Sequence, residues 1–161
     1  MKDDFATWFS TLGEPLDDAE RSEIRAYLQG LGVKASLPTL VVEGWKQAGN
    51  IARNPAESWW TAEEAARERL EMSVHLDPAD PEWLAATETL HGAAAVAATR
   101  SGISDPGLIR AAAGAAGYAA YQYRLARAAG ASPDHPFMRK YALFCGGRWP
   151  LGVYSDRFAI F

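Results

Sequence analysis

The stretch Asp80 to Gly130, DPEWLAATETLHGAAAVAATRSGISDPGLIRAAAGAAGYAAYQYRLARAAG, decides how the chain reads. It contains Asp-Pro twice, at Asp80-Pro81 and Asp105-Pro106. An aspartate at the N-cap accepts from the orphan amides of the first turn, and a proline at N1 lacks the amide that would go unsatisfied there. Each pair therefore opens a long helix, and Gly102 and Gly130 mark where the two helices stop. Shifting one helix by 25 residues aligns their prolines and small residues, but in alanine-rich sequence such matches reflect packing convergence rather than a repeat.

Rows of Ala and Gly let two helix backbones approach closely. The pair is accordingly expected to be an antiparallel centre of the fold, with Gly114 and Gly117 as packing glycines. On a helical wheel Leu108, Ala112, Ala115, Ala119, Gln122 and Ala126 form one stripe, and Arg110, Gly117, Tyr121 and Arg124 fall opposite it.

Working outward, Asp17 with Glu20 forms a capping box for a helix through Ile24, Tyr27 and Leu28. Thr61 with Glu64 predicts another, running through Leu70 to about His75, with Trp60 at N′. Ser132-Pro133 predicts the last, through Phe137, Tyr141 and Phe144, ended by Gly146 and Gly147. Phe5, Trp8, Phe9 and Leu12 have helical spacing, so residues 2 to 11 read as a short N-terminal helix. Residues 37 to 51 read as a helix with Ser36 as N-cap, the competing reading being a strand over 39 to 42 followed by a helix. From Trp149 to Phe161 the residues favour β structure, as a short hairpin or an extended tail.

The resulting expectation is an all-α single domain over 1–161, a bundle of about six helices with a small β tail. Length and composition agree: 161 residues suit one domain, 48% of them are hydrophobic and 22% charged, and close to a fifth are alanine. The N-terminal Met1-Lys2-Asp3-Asp4 lacks the basic start of a secretory signal, and no uncharged stretch approaches the roughly 20 residues of a membrane span. A cytoplasmic, non-membrane protein is expected, and the lone Cys145, read as a small buried hydrophobe, fits a reducing compartment.

The net charge of −4 gives no general nucleic-acid footprint. It is uneven, at −9 over residues 1–88 and +5 over 89–161. The halves either attract each other within the fold or leave a basic face for an anionic partner.

Motifs for chemistry are sparse. Glu88-x-x-His91 places a carboxylate and an imidazole on one helix face, and with Glu64 and Glu68 at a similar height on an antiparallel neighbour it makes a weak metal candidate. No second such motif occurs, and there is no nucleophile elbow, Walker pattern or dinucleotide fingerprint, so no cofactor is expected.

Arg148-Trp149, after two glycines and before Pro150, combines residue types enriched at binding hot spots. The alternative is a tryptophan that anchors the tail. Tyr121 and Arg124, with Tyr118 and Tyr123, can line a pocket between helices. The leading expectation is a protein that binds a protein partner, as a regulator, accessory subunit or toxin-neutralising protein, with a homo-oligomer left open. The alternative is a small enzyme or carrier whose pocket lies between the Ala-rich helices.

Overall fold

Capping chemistry sets most of the helix starts in the computed structural model, which describes residues 5–161. The reciprocal box of Asp17 and Glu20 opens α1 (Asp18–Gly30). Asp80 and Asp105 cap α4 (Pro81–Arg100) and α5 (Pro106–Ala128), each accepting from the second helical amide. Between them lie β1 (Thr39–Val41), α2 (Trp45–Ala52) and α3 (Glu57–Glu71). After α5 come α6 (Pro136–Cys145), β2 (Pro150–Tyr154) and β3 (Arg157–Ile160).

Four of the expected elements are corrected. Residues 37–51 are not one helix: Thr39–Val41 pairs in parallel with Phe158–Ile160, and α2 starts after Gly44. The edge that draws this segment into a strand comes from the far end of the chain. Thr61 does not cap α3, which begins four residues earlier, where the Ala56 amide is held by the Val153 carbonyl of β2. Trp60 is consequently a first-turn residue, and α3 ends at Glu71 rather than near His75. Ser132-Pro133 forms a turn, and the cap-plus-proline pair that opens α6 is His135-Pro136. At the N-terminus Phe5–Thr7 makes a single 3-10 turn, and Phe9, at φ 63°, leaves helical geometry. The expected helix over 2–11 is thus replaced by aromatic docking, and its first three residues lie outside those described.

The sheet order is β1-β3-β2, with β2 and β3 as the terminal hairpin. The molecule is therefore mostly helical with a small sheet, broadly consistent with the all-α expectation and its terminal hairpin, to which β1 adds a third strand. At Gly152 the hairpin register shifts, φ is +100°, and an added Cβ would lie 2.6 Å from the Trp59 ring. Only glycine lets β2 pass that close to α3. Two main apolar clusters result among the described residues, beside a small third one of Ala66, Ala126 and Phe137. The larger joins Phe5, Trp8 and Phe9 to α2, the facing alanines of α4 and α5, and Trp149. The second packs α1 and α6 on the sheet through Tyr27, Leu143 and Phe158.

The α6 cap carries a pH prediction. His135 Nδ1 accepts from the Phe137 amide, which requires the unprotonated ring. Burial, helped by the charge of Arg69, holds its pKa below the usual histidine value. As pH falls below about 6.5 the unfolded chain takes up a proton that the folded chain refuses, so stability falls with it. We expect a lower urea midpoint at pH 5.5 than at pH 7.5. His135→Asn, which caps without titrating, should flatten that difference; an unchanged slope would refute the cap's role.

Candidate functional site

Alanine, not glycine, makes the α4–α5 contact. Ala94, Ala97 and Ala98 face Ala112, Ala116, Ala119 and Ala120 in the core, whereas Gly92, Gly114 and Gly117 meet open space where a Cβ would stand. They are not packing glycines. A mid-helix glycine costs roughly 1 kcal/mol relative to alanine, and no neighbour requires it at 114 or 117.

These two glycines floor a groove on the outer face of α5, the side opposite the alanine stripe. Its shallow middle, about 700 Å³ in volume, is lined by Arg110, Gly114, Gly117, Tyr118 and Tyr121 from α5 and by Trp83, Thr87 and His91 from α4. At one end it runs into a hollow of about 350 Å³ between α3, the 74–78 segment and Trp83, sharing Trp83 and Tyr121. At the other it deepens into a cleft of about 300 Å³ that shares Arg110, Gly114 and Tyr118. From Arg110 to Arg124 the floor spans about 21 Å at the rise of an α-helix.

Tyr121 and Arg124 thus lie in the hollow end of this groove. Arg124 is ion-paired with Asp80 and sits 5.1 Å from the centre of the Trp83 ring. The guanidinium holds the Asp80 carboxyl below the usual carboxylate range. Tyr121 donates to Glu71 at 2.7 Å, and burial followed by that carboxylate raises its hydroxyl pKa. Tyr118 donates to Glu64 and stacks on Trp60, which is 44% exposed. Among the described residues the guanidiniums of Arg53 and Arg110 make no ion pair or hydrogen bond, and both side chains are exposed at the cleft.

Behind the cleft lies a charge pair that sequence reading missed. Lys140 donates to both Glu63 oxygens at 2.8 Å and to Gln122 Oε1 at 3.0 Å. Glu63, fully buried, also accepts from Gln122 and from Tyr27, whose hydroxyl takes the Trp59 indole N–H. Burial, then the Glu63 charge, pushes the Tyr27 pKa up and keeps it a donor. All three Lys140 protons are used, so its amine is no free nucleophile. This network joins α1, α3, α5 and α6 as a structural lock.

Arg148 and Trp149 are inside the protein, at 3% and 0% exposure. Arg148 spends all five N–H groups on Glu20 and on the carbonyls of Thr11, Glu14 and Pro15. They are not the exposed hot-spot pair that their composition suggested; they clamp the N-terminal segment and the tail. Burial here is decided by long-range partners that the tripeptide does not reveal.

The geometry behind the metal candidate also fails. α3 packs on α5, not α4, which separates Glu64 and Glu68 from Glu88 and His91. Glu64 and Glu68 instead pair with Arg67, Glu88 and His91 are exposed, and no group of three His, Cys, Asp or Glu among the described residues can hold a metal ion. Cys145, expected to be buried, is exposed at the end of α6. No helix among the described residues is long and apolar enough to cross a membrane. No protein-family model, curated protein or solved structure matches the chain.

Proposed function

We propose that the protein acts by binding a protein partner, in the manner of a regulator or accessory subunit, and that the contact segment lies along the α5 groove. The observation that carries this reading is the pair of helix glycines, Gly114 and Gly117, kept open under a row of aromatic and arginine side chains. Glycine at these sites weakens the helix and packs against nothing, so its use is best explained by what must approach the surface. A floor of about 21 Å accommodates roughly six residues of extended chain. Trp60, Trp83, Tyr118 and Tyr121 supply rigid contact area, and Arg53 and Arg110, whose guanidiniums have no partner among the described residues, favour an acidic segment.

The test separates folding from binding. Gly117→Ala should stabilise the fold by about 0.5–1 kcal/mol, since the helical backbone suits alanine and nothing obstructs its Cβ. Gly117→Leu should fold equally well but fill the groove. Acidic peptides selected from a displayed random library against the wild-type protein should lose at least tenfold in affinity on the leucine variant. Equal affinity for both proteins would remove the groove from the binding surface.

A further inference from the structure

The deep end of the groove has features of its own. Its walls are the rings of Trp59, Trp60 and Tyr118, its rim carries Arg53 and Arg110, and its volume of about 300 Å³ is that of a small-molecule site. Glu63 and Lys140 cancel, so the cleft bears two net positive charges in a protein whose total is −4. Trp149 also lines it, and the Trp149 indole N–H is buried with no acceptor among the described residues. An orphaned buried donor is costly unless something supplies an acceptor. A ligand suited to this lining has a flat apolar body for the rings, and an anionic group that the guanidiniums can hold.

We infer that this cleft binds a small planar aromatic carboxylate, its ring system against the stacked Trp60–Tyr118 pair and its carboxylate on Arg110 and Arg53. The cleft is open enough to admit a one- or two-ring acid, and Gly114 leaves the entrance clear because nothing stands where its Cβ would be. The inference does not rest on the partner reading: Gly117 lines the shallow groove but not the cleft.

Titration calorimetry of the full chain with 2-naphthoate and 2-naphthamide tests it. Naphthoate should bind one to one, and the uncharged amide about tenfold more weakly or worse, as expected for loss of a charge-assisted contact. Arg110→Ala should weaken naphthoate by a similar factor, and Gly114→Leu should abolish binding while far-UV circular dichroism stays unchanged. Gly117→Leu should leave naphthoate binding intact, even if it destroys partner binding. Absence of saturable naphthoate binding, equal affinity for the amide, or full binding by a folded Gly114→Leu protein would overturn the inference. So would tighter binding of an acetylated tripeptide ending in a free phenylalanine carboxylate, which would assign the cleft to a chain terminus.

Discussion

Lys140→Met is expected to destabilise the protein by about 3–5 kcal/mol, because it leaves the Glu63 carboxylate buried without its cation. Loss of the ammonium also strands the Gln122 carbonyl oxygen that Lys140 satisfies. The double variant Lys140→Met/Glu63→Gln removes both charges and should be clearly more stable than Lys140→Met alone. A buried pair is expensive to break and far cheaper to delete whole. Urea unfolding of the two single variants and the double variant measures the coupling. If the double variant loses the sum of the single losses, the two charges are independent and the lock across α1, α3, α5 and α6 is wrong.

The second large effect lies at Arg148. Arg148→Ala removes five hydrogen bonds at once and leaves the Glu20 carboxylate and three carbonyls without that donor. A loss of about 3–5 kcal/mol is expected for a broken buried pair, a large part of the roughly 5–15 kcal/mol that holds a domain folded. Arg148→Lys should recover little, since one ammonium cannot reproduce a planar fork with five donors. Trp149→Ala, which empties a fully buried indole site, should likewise cost about 3–5 kcal/mol. Thermal unfolding by circular dichroism reads both. Near-wild-type midpoints would return Arg148 and Trp149 to candidacy as recognition residues.

Helix existence was legible because caps are local. Asp17 with Glu20, Asp80-Pro81 and Asp105-Pro106 each carry their own signal within three residues, and all three hold. Most of what failed depended on distant partners, the exception being α6, whose cap lies three residues on from Ser132, at His135. Thr39–Val41 becomes a strand only because Phe158–Ile160 offers an edge, and α3 starts early because β2 holds the Ala56 amide. The site was half legible. The helical wheel put Arg110, Gly117, Tyr121 and Arg124 on one face, which is the groove's face. It could not show that α4 packs on α5 through its alanines with Leu90 and Leu108, leaving Gly114 and Gly117 uncovered. The Glu63–Lys140 pair joins residues 77 apart with no motif between them, and a lysine amid Tyr141, Phe144 and Phe137 was its only trace.

The claim that the α5 groove is the partner face is tested most directly by site-specific photo-crosslinking in the native host. A photoreactive residue is placed in turn at His91, an exposed residue lining the groove whose replacement leaves the glycine floor open, and at Met72, which is 82% exposed and lies outside the groove and its two ends. The groove account predicts a discrete covalent adduct with one partner from position 91 and none from position 72. An adduct from Met72 with none from His91 would contradict it.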